Sequence, residues 1–220
     1  MGSAFVQLVV LAGIALFLIL RLRSVLGTRD GFEKPKTPPA QVGAERPRRD
    51  FAVIEGGVDR DIVDNVEDGS TAARALAAMK MIESDFSVTD FLQGARGAYE
   101  MILMAFENGD LDEIEGFLSA DIRDAFAEVI AMREKQGLRV EASFVGLREV
   151  RLVEASFDKL SNEAEISVRF VAELTSVVRN AEDEIVEGSP TEIKRQKDTW
   201  TFARTMGADD PNWILVATAE

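Results

Sequence analysis

A 220-residue chain with a formal charge of −14 and neither cysteine nor histidine excludes several chemistries at once. Disulfides, thiolate nucleophiles, zinc sites of the usual ligand types and imidazole-dependent triads are ruled out. The charge is uneven: residues 21–50 hold eight Lys/Arg against four Asp/Glu, which leaves −18 on residues 51–220. The basic part suits anionic lipid headgroups, whereas the acidic part argues against nucleic acid, whose affinity comes largely from cations on phosphate.

From Ala4 to Leu20 the chain carries no charge and one polar side chain, Gln7. At about 1.5 Å per residue the run is about 25 Å long, slightly short of a hydrocarbon core near 30 Å. Leu22 and a snorkelling Arg21 add the missing turn. A secretory signal places its basic residues before the apolar run; here Arg21, Arg23 and Arg29 follow it. The expectation is a single transmembrane helix, N-terminus outside and C-terminal domain cytoplasmic. Residues 1–26 form this anchor and its basic flank.

Residues 27–70 read as a disordered linker, rich in Pro35, Pro38, Pro39, Pro47 and charge, because such composition buries too little apolar surface to offset chain entropy. Within it, residues 51–69 interleave Val58, Ile62 and Val66 with Asp59, Asp61 and Asp64. That pattern fits an acidic tether or a short motif that orders on a partner; EF-hand spacing is absent. Residues 71–85 form a connecting helix with Leu76, Met79 and Ile82 along one face.

The main domain, residues 86–220, opens on a capping box, Ser87-Val-Thr-Asp90, with Phe86 and Phe91 placed as a hydrophobic staple. Phe91, Ala95, Tyr99, Ile102 and Phe106 recur at helical spacing until Asn108-Gly109 stops the helix. Gly94 and Gly97 within it imply close approach of another element. Asp110 is expected to cap a short helix, and Ser119 a third, whose Ile122, Phe126, Val129 and Ile130 face inward.

The period then changes to two. Leu138–Phe144 and Val150–Phe157 read as two strands and Glu163–Leu174 as a third. A polar excursion through Asn180–Pro190 leads to a strand ending at Arg204. After an Asp209-Asp-Pro-Asn212 turn, Trp213 begins the last strand on the core face. Helices followed by an antiparallel sheet define an α+β domain.

No phosphate-binding loop, nucleophile elbow or metal spacing appears, so the expectation is a non-enzymatic protein without a cofactor. A curved sheet under helices can enclose an apolar cavity, and Phe144, Phe170, Trp200, Phe202 and Trp213 are its candidate lining. A lipid or other apolar small molecule held there is the alternative to an adaptor that binds protein.

Two stretches resemble a known family. Phe91-Leu-Gln-Gly94-Ala95-Arg-Gly-Ala-Tyr99 with Phe106-Glu-Asn-Gly109-Asp110 is similar to its helical half. Arg204 and Asp210-Pro211-Asn212-Trp213 are similar to its closing strands. The family is that of the C-terminal domain of the forty-four-kDa subunit of the mitochondrial inner-membrane import translocase, with its bacterial TimA-type relatives. The resemblance implies a cone-shaped fold related to nuclear transport factor 2. It also implies an adaptor at the inner membrane, with a chaperone or translocon component as its protein partner. The Arg-rich transit peptide and long charged chaperone-binding region of the mitochondrial member are absent here, which favours a bacterial relative.

The arginines after the apolar run should hold the domain inside. A reporter fused after Glu220 should therefore behave as cytoplasmic, and neutralising Arg21, Arg23 and Arg29 together should give mixed orientation; a periplasmic signal from the unaltered chain contradicts the anchor reading.

Overall fold

The computed structural model describes residues 59–219, so the expected anchor, Arg21, Arg23, Arg29 and most of the linker lie outside the described residues. Among the described residues no helix is long and apolar enough to cross a membrane.

The fold is built on an antiparallel meander of β1 (Arg139–Asp158), β2 (Glu163–Arg179), β3 (Ile185–Thr205) and β4 (Ile214–Ala219), hydrogen-bonded in that order. Strict alternation on β2 sends Ala164, Ile166, Val168, Phe170 and Ala172 to one face, where all are completely buried. Burying each of the larger ones is worth roughly 1.5–3 kcal/mol, so the register of the sheet is strongly specified. The other face of the sheet is polar. Ser167 and Thr201 share a hydroxyl hydrogen bond of 2.8 Å across strands, and Glu173 is clasped by Arg148 at 2.7 Å and Arg195 at 3.0 Å. Hydrogen bonds from those two guanidinium groups hold the Glu173 carboxyl below its ordinary pKa.

Among the described residues five helical segments precede the sheet: α1 (Arg60–Val63), α2 (Thr71–Ile82), α3 (Val88–Asn108), a 3-10 turn (Asp112–Phe117) and α4 (Ala120–Lys135). Helices α2 and α3 lie against β1, and they bury Leu76, Met79, Tyr99 and Ile102 completely. The Ser87 cap forms as the sequence indicates, and the two staple residues Phe86 and Phe91 both pack on Trp213. The Ser87 hydroxyl accepts from the Asp90 N–H at 3.1 Å, and Phe86 and Phe91 are 8% and 7% exposed. Gly109 ends α3 in the left-handed conformation, φ 76°, where glycine avoids a Cβ clash.

A second cap on α3 comes from far upstream. Asp61 accepts hydrogen bonds from the backbone N–H of Val88 at 2.7 Å and of Thr89 at 2.9 Å, and from the Thr89 hydroxyl at 2.8 Å. Lys80, on α2, closes the knot with ion pairs to Asp61 at 2.7 Å and Asp59 at 2.9 Å. Burial alone would raise the Asp61 pKa, but the Lys80 ammonium and these donors outweigh it and hold the carboxyl well below the usual carboxylate range. Lys80 is pushed up in turn; the two aspartates outweigh the opposite effect of its burial. Ile62, beside Asp61, is 5% exposed and belongs to the core.

Several sequence expectations are revised. The linker expected through residue 70 gives way to the folded domain by Asp59, because Asp61 and Ile62 are bound into it. The helix expected as a connector at residues 71–85 is a core element. The two strands expected at Leu138–Phe144 and Val150–Phe157 are one, β1, interrupted by irregularities at Phe144/Gly146, Leu147/Glu149 and Leu152/Glu154. These shifts keep apolar residues facing inward over a long curved strand. Strand β2 continues past Leu174 to Arg179, and the polar excursion narrows to a turn between Arg179 and Ile185. There Asn180 Oδ1 accepts from the N–H groups of Glu182 at 3.1 Å and Glu184 at 2.8 Å.

Asp110 does not cap a regular helix; its carboxylate accepts from the Asp112 N–H at 3.1 Å ahead of the 3-10 turn. Only Ile122 of α4 is buried, while Phe126, Val129 and Ile130 remain half-buried. Strand β4 covers β3 only along Thr199–Ala203. The free part of β3 contains Gly188, φ 81°, and Pro190, beside a register shift opposite Leu174 and Ser176.

The Asp61 knot makes stability depend on pH with a definite sign. The folded-state pKa lies below the ordinary 3.8, so its contribution is complete above about pH 5 and is lost as pH falls below about 4. Asp61→Ala should cost about 2–3 kcal/mol at neutral pH, since it strands two helix donors and Lys80. Urea melts at pH 7 and pH 3 should show the gap between the two proteins narrowing in acid; equal gaps contradict the assignment.

Candidate functional site

The residues that carry the family resemblance separate into three places. Tyr99 goes to the centre of the core, where it stacks on Phe170 at a ring distance of 4.4 Å and meets Trp200 at a tilt, 4.5 Å away. Its hydroxyl donates to the carboxylate of Asp198, which is 7% exposed and also accepts from Gln196 Nε2 at 3.2 Å. Burial, reinforced by that carboxylate, pushes the Tyr99 pKa far up, so the phenol stays protonated.

Phe170, Trp200 and Phe202, expected to line a cavity, are 0%, 4% and 2% exposed and pack around Tyr99. Tyr99 occupies the space between Phe170 and Trp200. Phe144 is half-buried at the edge of this cluster.

At the far end of α3, Phe106 stacks on Phe126 at 4.5 Å and carries the Arg133 guanidinium 4.6 Å above its ring. Arg133 also reaches Glu107, at 3.8 Å; burial nonetheless raises the Glu107 pKa. Gly109 and Asp110 complete the C-terminal cap, the Asp110 N–H donating to the Ala105 carbonyl at 3.0 Å. These residues secure α4, which has little other burial.

Most of the remaining motif residues meet at one cleft of about 360 Å³ between the first turns of α3 and the β3–β4 connection. Phe91, Gly94, Ala95, Arg204, Pro211, Asn212 and Trp213 all line it. Asp210 shapes the connection: its carboxylate accepts from the Asn212 N–H at 2.9 Å. Trp213 lies 4.7 Å from the Phe91 ring and 6.0 Å from that of Phe86, and Phe202 forms part of the floor. Trp213 precedes β4 and is half-buried, a correction to the expectation that it starts the strand inside the core. The indole meets Phe91 of α3 edge-on and forms a wall of the cleft.

Arg204 fixes that wall. Its guanidinium sits 5.4 Å from the Trp213 ring centroid, donates to the Pro211 carbonyl at 3.0 Å and pairs with Glu83. The other Glu83 oxygen accepts from the Gly207 N–H at 2.6 Å, so one carboxylate joins the end of α2 to the β3–β4 turn. Arg204 Nε is buried without a hydrogen-bond partner among the described residues. Asp85 and Asp90 stand exposed at the mouth and take part in no ion pair among the described residues. Gly94 was expected to mark close packing. A Cβ there would instead meet nothing within 4 Å, and the same holds at Gly97. The cleft therefore has an aromatic floor, a glycine-bared helical side and an acidic mouth, which suits an apolar chain bearing positive charge.

Sequence reasoning missed two residues of this arrangement. Asp198 could have been found by running the alternation of Trp200 and Phe202 back one step, which places it on the inward face. Glu83 gives no local signal, since its partners lie more than 120 residues away in the chain.

The profile of the Tim44-like domain family matches residues 72–220. It begins one residue inside α2, in keeping with that helix belonging to the domain. No curated protein sequence matches the chain. Among solved structures, the intermembrane space region of chloroplast protein ARC6 aligns with a TM-score of 0.39 and 10% identity, over 58% of this chain and 94% of that one. A likeness so distant says nothing about the cleft.

Half-burial sets the scale for Trp213. Full truncation of a core aromatic costs about 3–5 kcal/mol, so Trp200→Ala should fall in that range and Trp213→Ala near 2 kcal/mol. Urea denaturation of both variants tests this; equal costs would return Trp213 to the core.

Proposed function

This chain belongs to the Tim44-like domain family, a family associated with protein translocation at membranes, and we propose that it acts as a non-enzymatic adaptor of the bacterial TimA type. In this reading the N-terminal apolar run anchors it in the inner membrane and residues 27–58 tether a cytoplasmic domain with the cone-shaped architecture related to nuclear transport factor 2. The partner is a protein segment that is both apolar and basic, bound in the cleft between α3 and Trp213. A chaperone or translocon component remains the class of partner that the family brings with it.

The observation that carries this reading is the composition of the cleft. Phe86, Phe91 and Trp213 offer apolar area, Asp85 and Asp90 offer uncompensated negative charge at the rim, and Gly94 leaves the helical side bare. An exposed mid-helix glycine costs up to about 1 kcal/mol relative to alanine. A glycine bare on the cleft side gives an occupant direct access to the α3 backbone. Tyr99 lies between Phe170 and Trp200 in the interior, which weighs against an apolar ligand held there.

Gly94→Leu separates binding from folding, because a leucine there fills the cleft while improving helix propensity. Trp213 is the reporter: in a Trp200→Phe background it is the remaining tryptophan of the two in the chain. Titration with a synthetic Lys/Leu amphipathic peptide should shift its emission saturably, and added salt should weaken the effect. Gly94→Leu should abolish the response with stability equal or higher. A Glu/Leu peptide that acts equally well, or a Gly94→Leu protein that still responds, overturns the proposal.

A further inference from the structure

Residues 59–69, where the chain enters the domain, are held by little apolar contact. Their one regular element, α1, has four residues, too few to persist as a helix by itself. Ile62 is 5% exposed and Val66 packs partly buried on the core, while Asp64, Glu67, Asp68 and Gly69 are exposed. Gly69, at φ 69°, ends the segment in open space, with nothing within 4 Å of where a Cβ would lie. A segment with so few buried contacts opens locally at a fraction of the cost of global unfolding.

What attaches the segment is polar and concentrated on Asp61. Beyond its bonds to Val88, Thr89 and Lys80, Asp61 Oδ1 accepts from the Ser87 hydroxyl at 3.4 Å, and its carbonyl accepts from Asn65 Nδ2 at 2.8 Å. The neighbouring helices keep caps of their own. Ser70 accepts from the Ala73 N–H at 3.0 Å at the start of α2, and Ser87 does the same for α3. Detachment therefore leaves both helices standing and frees two α3 donors, Lys80 and two apolar side chains.

The cleft would nonetheless feel that detachment from two sides. Val88 and Thr89 lie between Ser87 and Asp90, both of which line it. Lys80 stands less than one turn before Glu83. Glu83 holds the β3–β4 connection through Gly207 and, through Arg204, the Trp213 wall.

We infer that residues 59–69 are a releasable strap that couples the tether to the cleft. Attached, the strap sets both walls for an occupant; released, it lets both loosen and the occupant leave. The inference rests on the cleft reading proposed above and adds its regulation. Such coupling is reciprocal: an occupant that binds the attached form better holds the strap down by the same factor. A pull on the chain upstream of Asp59 is thereby felt as lower affinity, and an occupied cleft resists the pull.

Hydrogen exchange on the full-length protein reads the strap without altering it. The amides of Ile62, Val63 and Val66, which bond to the carbonyls of Asp59 and Ile62, are followed with and without saturating Lys/Leu amphipathic peptide. Amides of β2 report global unfolding. The strap amides should exchange much faster than those of β2 and slow by about 5–150-fold when the peptide binds, the usual range for coupled sites. Asp61→Ala should abolish the slowing and weaken the peptide by a similar factor, read by Trp213 emission in the Trp200→Phe background. Leu152→Ala, a core change on β1 outside the cleft, should keep the original affinity.

A peptide that binds without slowing the strap amides overturns the strap and leaves the cleft reading standing. Strap amides that exchange only together with β2 do the same. If Leu152→Ala loses as much affinity as Asp61→Ala, the loss belongs to global stability and the coupling is overturned. A peptide that fails to bind the unaltered chain overturns the strap together with the cleft reading.

Discussion

Every helix leaves donors unsatisfied at its N-terminus, and in this domain those of α3 determine how the rest is assembled. The first turns of α3 form one side of the cleft, so the usual remedy of solvating the end freely would leave that wall loose. Ser87 satisfies one donor locally. Asp61 satisfies two more from outside the helix, and it can do so only if the chain upstream of α2 is folded back and held there. Lys80 then balances the carboxylate, which fixes the end of α2 next to the start of α3. Glu83, directly after α2, reaches Arg204 and Gly207, and Arg204 supports Trp213. The walls of the cleft are thus referenced to one electrostatic knot.

What could be read in the sequence was what local physics decides. The Ser87 and Ser119 caps and the Gly109 stop depend on residues within a few positions of each other. They occur as expected. The alternation of β2 was equally plain, since both faces of a central strand are constrained. Asp61 was read as part of an acidic tether because its partners are 27 and 28 residues away, a separation at which composition is silent. Trp213 was assigned by face alone, which cannot distinguish a residue inside the core from one at its margin. Strand β1 was divided in two because its bulges break the period that would have revealed it.

The same limit explains the cleft. The motif residues near Gly94 and those near Trp213 each drew attention separately, but their meeting depends on β3 pairing with both β2 and β4 and on α3 lying across them. The core, by contrast, gives its buried Asp198 carboxylate a tyrosine hydroxyl and an amide. An unpaired carboxylate there would be costly; a paired one sets the rotation of α3 about its axis. With Tyr99 pointing inward, Ala95 and Phe91, one and two turns earlier on the same face, come to the cleft.

Confinement to a surface concentrates copies of a protein, and an open sheet margin is where such copies would zip together. From Ile185 to Asp198, β3 has no strand beyond it among the described residues. Pro190 offers no donor there, Gly188 turns the backbone at φ 81°, and the register slip leaves residues 190–193 without partners on β2. A neighbour approaching edge-on would find no continuous template. Along this margin the irregular segment denies a second copy the continuous ladder that fibre growth requires.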